Sequence, residues 1–287
     1  MRFRLGCAVW GFQGWRGAFF PADAPQHSML GLYSRRMMAV EGNSVFYGIP
    51  SSEVLSKWCA QTPESFRFCP KIPKVISHEG DLTPEIPQAQ RFFDHMHRGL
   101  GARLGPIFLQ LPPGYSPHLG PDLARFLNAW RRHTAHPLLV EVRHPRWYTD
   151  GPAARLDTLL DRLSLGRVVL DTRAIYSGSD DPQADNPRKK PKLPLHAVAV
   201  GSLAMVRFIS HPDPDRNRHL LHQWATTIHR WLTAGTEVYF FMHCPREEFS
   251  PANARMLQRM LEEQGAPVSP LPWDSLPPEP HQVGMFR

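Results

Sequence analysis

The chain has 287 residues, of which 42% are hydrophobic and 21% are charged, proportions that are ordinary for a globular protein. No run approaches the roughly 18 consecutive apolar residues that a membrane-spanning helix needs, so we expect no membrane segment. The formal net charge of +7 favours anionic partners, either small anionic ligands or nucleic acid. Nucleic acid is the less favoured of the two, because the basic residues form no stripe interleaved with aromatic side chains.

The first residues and the cysteines favour a cytoplasmic location. The chain starts Met-Arg-Phe-Arg-Leu-Gly and enters an apolar run directly, without the longer apolar stretch and cleavage site of a secretory signal. The four cysteines, Cys7, Cys59, Cys69 and Cys244, form no Cys-x-x-Cys pair. We therefore expect them to be reduced thiols with a structural role.

Eight short apolar runs divide the chain, and most of them end at a polar or charged residue. They cover residues 3–9, 38–44, 66–72, 106–111, 137–142, 167–170, 203–209 and 236–242. Strands that alternate with helices indicate a parallel sheet, and eight such units predict a closed (β/α)₈ TIM barrel of the α/β class. An open doubly wound sheet is the alternative, but no Gly-x-Gly-x-x-Gly motif follows the first run.

The gaps between the runs predict helices, with one exception. Apolar residues recur at helical spacing after the second, third, fourth, fifth, seventh and eighth runs, and Gly101, Gly235 and Gly265 would end three of these helices. Between Asp171 and Leu203 no helical period is found, which predicts a long loop over the carboxyl face of the barrel, with a solvated basic stretch at residues 188–192. We expect a single domain over residues 1–287, with the barrel at about 2–265 and an irregular Pro-rich arm at 266–287.

The polar residues at the ends of the runs are the candidate site, because barrel enzymes build their active sites at the carboxyl ends of the strands. The candidate catalytic residues are Glu41, Glu141, Asp171 and His78. The candidate substrate-binding residues are Trp10, Asn43, Tyr47, Lys71, Gln110, Arg143, Arg207, His211 and His243. No Ser-His-Asp spacing, Gly-x-Ser-x-Gly motif or P-loop is present.

Two pairs of residues carry most of this prediction. Alternation along a strand would send Glu41 and Asn43 to one side, and Glu141 and Arg143 to one side. Each carboxylate could act as a general acid or base, or it could simply neutralise a neighbouring cation inside the barrel. Both interpretations stay open at this point.

The cations of the candidate set favour an anionic ligand. Lys71, Arg143 and Arg207 would focus positive potential at one mouth, which suits phosphate or carboxylate, although each could instead form an ion pair within the barrel. No cofactor is predicted. A divalent metal is possible because the carboxylates and histidines are suitable ligand types, but their spacing matches no recognised metal motif.

The chain resembles YecE-like members of the family called domain of unknown function 72. The resemblance covers nearly the whole chain and is carried by Gly14-Trp15-Arg16-Gly17, Glu41-Gly42-Asn43-Ser44, Cys69-Pro70-Lys71, Gln110-Leu111-Pro112 and Glu141-Val142-Arg143-His144, together with Trp10, His78, Asp171 and Arg207. It implies a TIM barrel and no particular reaction. The loose description of the family as related to sugar isomerases rests on the barrel itself.

The chain also departs from the pattern of that family. Many members carry Thr-Ser-Gly before the first Trp, a His two residues after the strand-seven Arg, and paired Asn residues at the end of strand eight. Here those places hold Cys7-Ala8-Val9, Ile209 and Met242-His243. We expect His211 and His243 to take over the last two of these positions.

Three functions are compatible with these residues. The leading hypothesis is an enzyme, of isomerase, lyase or hydrolase type, that acts on a small phosphorylated or sugar-like anion by general acid–base chemistry, with Glu41 and Glu141 exchanging protons. The second is a metal-dependent phosphodiester hydrolase that acts on nucleic acid. The third is a noncatalytic protein that binds an anionic ligand or a partner protein. The sequence does not predict an oligomeric state.

Overall fold

The computed structural model describes residues 2–186 and 189–275. Within these residues eight strands form one parallel sheet in the order β3-β2-β1-β8-β7-β6-β5-β4. They are β1 (Phe3–Cys7), β2 (Ala39–Gly42), β3 (Arg67–Pro70), β4 (Ile107–Gln110), β5 (Leu138–Glu141), β6 (Gly166–Asp171), β7 (Leu203–Ile209) and β8 (Glu237–His243). Each strand overlaps one of the eight predicted apolar runs.

The two outer strands, β3 and β4, nearly close the sheet into a barrel. Phe68 pairs with Leu104, and Lys71 with Phe108, as isolated parallel bridges. The N–H of Gly105 donates to the carbonyl oxygen of Phe68 at 2.8 Å. The predicted single-domain (β/α)₈ barrel is therefore confirmed, and the open-sheet alternative is wrong.

Eight α-helices are present in the described residues. They are α1 (Met29–Ser34), α2 (Ser52–Gln61), α3 (Lys74–Ser77), α4 (Ile86–Leu100), α5 (Gly120–His133), α6 (Asp150–Arg162), α7 (Asp215–Thr233) and α8 (Ser250–Glu263). The six predicted helices correspond to α2 and α4 to α8, whereas α1 and α3 are too short to show a helical period. The predicted stops Gly101, Gly235 and Gly265 have φ of 51°, 92° and 65°, a conformation that favours glycine.

The predicted long loop between β6 and β7 is confirmed, because its described residues contain no α-helix. Three hydrogen bonds hold its later part. The hydroxyl of Tyr176 donates to the carbonyl of Lys190 (2.5 Å), the N–H of Lys190 donates to Gln183 (2.6 Å), and Thr172 donates to the carbonyl of Pro191 (3.2 Å). These bonds tie residues 190 and 191 to the chain that leaves β6, at the carboxyl end of the barrel.

Inside the barrel a small apolar layer supports a polar one. The apolar layer contains Ala39, Cys69, Phe108, Leu139, Val168, Met205, Tyr239 and Phe241. Because side chains alternate along a strand, the next inward position lies two residues further on. Six of these positions are polar, namely Glu41, Lys71, Gln110, Glu141, Arg207 and His243, whereas β6 contributes Leu170.

The chain after α8 is irregular where it is described, up to a short 3-10 turn at Pro272–Ser275. The ring of Trp273 lies 4.8 Å from that of Phe19, and the Arg255 guanidinium lies 4.8 Å from the Trp273 ring. The rest of the predicted arm, residues 276–287 with Phe286, lies outside the described residues.

All four cysteines are free. In the described part of the chain, no helix combines the length and apolar character needed to cross a membrane.

Candidate functional site

The centre of the polar layer is the guanidinium of Arg207, which is only 1% exposed. Its Nε and Nη2 donate to the two carboxylate oxygens of Glu41 at 2.8 and 2.7 Å. Its Nη1 donates to Glu141 and, more weakly at 3.4 Å, to the amide oxygen of Gln110. One cation on β7 therefore links side chains from β2, β4 and β5 by charge-assisted hydrogen bonds.

Both glutamates accept further hydrogen bonds. The Asn43 amide donates to Glu41 Oε1 at 2.6 Å, and His243 Nε2 lies 2.9 Å from Glu41 Oε2. The Arg143 Nε donates to Glu141 Oε1 at 2.7 Å. Asn43 and Arg143 lie just beyond the ends of β2 and β5. The turns after these strands bring Asn43 to Glu41 and Arg143 to Glu141, the two pairs that the sequence predicted.

The charge states of this cluster follow from its partners. Burial raises the pKa of both carboxyls, but the charge of Arg207 outweighs it, so that the pKa of Glu41 lies well below 4.5 and that of Glu141 falls to about 2. Burial also lowers the pKa of His243 to about 4, although Glu41 opposes this. At neutral pH the cluster therefore contains the two carboxylates, the guanidiniums of Arg207 and Arg143, and a neutral imidazole.

Lys71 lies in the same layer but in different surroundings. Its side chain is 7% exposed, and its Nζ lies 3.7 Å from the centre of the Phe46 ring. Among the described residues, its Nζ has no carboxylate within 4.0 Å. Burial, followed by repulsion from Arg207, lowers the pKa of Lys71 to about 7. This amine is therefore partly neutral at physiological pH.

A cavity of about 460 Å³ opens beside Lys71. Its walls contain Asn43, Phe46, Tyr47, Lys71, Lys74, His78, Gln110, Arg143, Lys189, Lys190 and Arg207. Six of these residues are lysines or arginines, and none of the described lining residues is a carboxylic acid. Several cations around one concave site favour an anionic ligand.

His78 and Tyr47 both pack edge-on with the Phe46 ring in this cavity. The His78 ring centre is 5.0 Å from that of Phe46, and its Nδ1 is 2.8 Å from the Ser77 hydroxyl. Burial, followed by the charge of Lys71, lowers the pKa of His78 to about 4, so its ring is neutral at pH 7. Tyr47 is 63% exposed at the rim.

A second cavity, of about 320 Å³, shares Asn43 with the first and is bordered by Trp10, Phe12 and Glu247. Trp10 packs edge-on against Trp58, with ring centres 5.0 Å apart. Glu247 is half-buried and accepts a hydrogen bond from Ser250 at 2.8 Å. Burial raises the pKa of Glu247 to about 7. This side of the mouth is mainly apolar, in contrast to the cationic cavity.

Asp171 does not reach either cavity. Its carboxylate accepts from Trp224 Nε1 of α7 at 2.8 Å and from Arg173 Nη2 at 2.9 Å. The reason is the alternation of β6, because Val168 and Leu170 face inward and the next residue faces the helices. Asp171 therefore connects the barrel wall to α7.

His211 also lies apart from the central cluster. Its Nε2 contacts Asp180 of the β6–β7 loop at 3.1 Å, and its N–H donates to Asn217 at 2.7 Å. Of the two histidines expected to replace family residues, only His243 contacts the central carboxylates. Among the described residues, no three His, Cys, Asp or Glu side chains are grouped as metal ligands.

Four charged residues of the mouth were absent from the candidate set, namely Lys74, Lys189, Lys190 and Glu247. Lys189 is exposed and pairs with Asp181 at 2.5 Å, as expected for a solvated stretch. Lys190 is half-buried and borders the cationic cavity, so the prediction of a solvated loop is wrong there. A basic run within a long loop on the carboxyl side was the available signal.

Fold and site together define a (β/α)₈-barrel protein with a cation-lined cavity at the carboxyl ends of its strands. A family model described as "Protein of unknown function DUF72" matches residues 4–277. The chain belongs to the DUF72 family, which confirms the resemblance seen in the sequence.

Among its relatives is the UPF0759 protein YecE of Escherichia coli strain K12, which is 33% identical over 261 residues, 88% of this chain and 91% of that protein. Two solved DUF72 structures are also similar. The one from Thermotoga maritima has a TM-score of 0.66 at 18% identity and covers 91% of this chain and all of its own. One from Enterococcus faecalis has a TM-score of 0.67 at 15% identity and covers 91% and 95%. At these identities the likeness shows the fold alone.

Proposed function

We propose that this protein is an enzyme that binds a small anionic metabolite, phosphorylated or sugar-like, in the cationic cavity and transforms it by general acid–base chemistry. The observation that carries this proposal is the convergence of Lys71, Arg143 and Lys190 on one cavity whose described walls hold no carboxylate. A guanidinium and two amines suit a phosphate or carboxylate group.

The geometry favours Lys71 over the two glutamates as the proton-exchanging group. Glu41 and Glu141 are buried and paired with Arg207, and their lowered pKa values make them weak bases at neutral pH. A general acid or base works best when its pKa is close to the operating pH, which Lys71 satisfies. In this proposal the two glutamates hold Arg207 in place.

The test is calorimetric titration of the purified protein with sulfate, a probe whose charge does not change near neutral pH. A hydrogen bond to a charged group contributes about 1.5–3 kcal/mol, so Lys71→Met and Arg143→Met should each weaken binding roughly tenfold or more. Lys57→Met, at an exposed position on α2, is the control and should bind like the wild type. No sulfate binding to the wild type, or equal binding by all variants, would refute the proposal.

A second candidate is a protein that binds the same anion without turning it over. The observation that favours it is the complete burial and pairing of Glu41 and Glu141, which removes the two expected acid–base groups. Screening phosphorylated aldoses and ketoses for turnover separates the two candidates, because only the enzyme would consume a ligand. Metal-dependent phosphodiester hydrolysis has no ligand cluster to support it among the described residues.

A further inference from the structure

We infer that Lys71 is a nucleophile that forms an imine with an anionic aldehyde or ketone bound in the cationic cavity. This inference rests on the proposed anion-binding function and names its substrate class and its covalent step.

The surroundings of Lys71 differ from those of Lys74 and Lys189 at the mouth. Lys74 pairs with Glu79 at 3.6 Å, and Lys189 pairs with Asp181 at 2.5 Å. Lys71 is far more buried and borders the cavity, and among the described residues its Nζ lies over the Phe46 ring without a carboxylate within 4.0 Å. Structural lysines are rarely buried without an anionic partner, because an unpaired buried charge is costly. The arrangement therefore suits a neutral amine that faces a ligand.

A neutral amine is what an attack on a carbonyl requires. Burial and the nearby Arg207 lower the pKa of Lys71 to about 7, whereas an ordinary lysine titrates near 10.5. At neutral pH the unprotonated fraction is therefore on the order of a thousandfold larger than for an exposed lysine. Desolvation beside other cations is a recognised way to activate a nucleophilic lysine.

The cations around Lys71 would anchor the charged group of the substrate. Arg143 uses its Nε to bind Glu141, while its guanidinium also borders the cavity. Lys190 borders the same cavity from the β6–β7 loop. A volume of about 460 Å³ accommodates a small phosphorylated or carboxylated carbonyl compound. The anion would then be held by Arg143 and Lys190, with its carbonyl carbon directed toward Nζ.

The covalent step balances without an oxidant or reductant. The Nζ lone pair forms a C–N bond to the carbonyl carbon, and the Nζ proton passes to the former carbonyl oxygen to give a carbinolamine. The hydroxyl group then leaves as water once it is protonated, and a C=N bond forms. Hydrolysis reverses both stages. The remaining N–H proton of the carbinolamine is released as the C=N bond forms and replaces the proton taken up by the leaving hydroxyl, so the step is neutral in protons overall.

The experiment traps the imine by reduction. The full chain is incubated with sodium cyanoborohydride and one of three probes: dihydroxyacetone phosphate, pyruvate, or uncharged dihydroxyacetone. Intact mass spectrometry then measures the adduct, and peptide mapping locates it. We expect one adduct, at Lys71, with at least one anionic probe and at least about tenfold less labelling by uncharged dihydroxyacetone, because that probe lacks the charged anchor.

Three variants make the result specific. Lys71→Met should lose the adduct, whereas Lys57→Met should keep it. Lys190→Met removes one of the two anchoring cations, so labelling by the anionic probe should fall but should still map to position 71. Peptide mapping of the wild type gives the site directly, so the outcome does not depend on whether Lys71→Met folds.

The outcomes separate the two proposals. Sulfate binding without any adduct, or an adduct at Lys190 or spread over surface lysines, overturns the imine inference and leaves the proposed function standing. A Lys71 adduct that forms equally with charged and uncharged probes supports the nucleophile but overturns its dependence on an anion. If sulfate does not bind and no adduct forms, both proposals are overturned.

Discussion

Replacing Arg207 with Met would leave two buried glutamates without the cation they share. Removing one partner of a buried ion pair typically costs about 3–5 kcal/mol, because the remaining charge stays buried and uncompensated. Arg207 holds both oxygens of Glu41 and one oxygen of Glu141, so we expect Arg207→Met to lose at least about 3 kcal/mol of unfolding free energy at pH 7.

The stability difference between Arg207→Met and the wild type should depend on pH, and the pKa values of the two glutamates fix its direction. In the wild type the folded-state pKa values of Glu41 and Glu141 lie below 4.5, so their stabilising contribution is present above pH 4.5 and is lost as the pH falls toward about 2. Without Arg207, burial would raise the folded-state pKa of Glu41, whereas Glu141 would keep its pair with Arg143 at 2.7 Å, and the variant would gain stability relative to the wild type as Glu41 protonates. The difference between the two proteins should therefore shrink as the pH falls from 7 to 5.

Urea unfolding followed by tryptophan fluorescence at pH 7 and pH 5 measures both effects, and a loss of about 3 kcal/mol moves the midpoint by roughly 1 M. Arg246→Met is the control, because the exposed pair of Arg246 with Glu248 should contribute no more than about 1 kcal/mol. Adding Glu41→Gln and Glu141→Gln to the Arg207 variant should recover part of the loss. A stability for Arg207→Met within about 1 kcal/mol of the wild type, with no pH dependence, would refute the reasoning.

Three further predictions concern other parts of the molecule. Gly6→Ala should abolish or severely weaken folding, measured by circular dichroism, because its Cβ would lie 2.0 Å from a carbonyl oxygen of β2, whereas Gly48→Ala meets nothing within 4 Å and should be tolerated. Trp224→Phe removes the 2.8 Å bond to the buried carboxylate of Asp171 and should cost about 1.5–3 kcal/mol in urea unfolding, with sulfate affinity unchanged. Sulfate affinity of the wild type should rise as the pH falls from 8 to 6, because Lys71 gains its proton near pH 7, and this rise should be lost in Lys71→Met. A rise of equal size in both proteins would assign the titration to another group.

The barrel and much of its mouth could be predicted from the sequence. Short apolar runs, helical stripes and glycine stops are local features, because they follow from the periodicity of strands and helices and from the conformational freedom of glycine. The spacing of Glu41 with Asn43, and of Glu141 with Arg143, is also local. Both pairs come together in the structure, although the second member of each pair lies beyond its strand.

The tertiary structure decided whether the Asp171 side chain faces the barrel interior or the helices. A parallel strand buried on both faces shows no alternation of apolar and polar residues, so its sequence does not reveal which face lines the barrel. The register of β6 with β7 pairs Val168 with Met205, which places Asp171 on the helix side. The same lack of alternation applies to the other central strands.

The charge states of the side chains at the mouth were also decided by the tertiary structure. The sequence determined that carboxylates, guanidiniums and a lysine would end neighbouring strands, and it left open whether they neutralise one another. Closure of the barrel brings Arg207 between Glu41 and Glu141, leaves Lys71 against Phe46, and brings Lys190 over the cavity from a distant loop. Ion pairing and burial depend on distances across the barrel, which local periodicity does not encode.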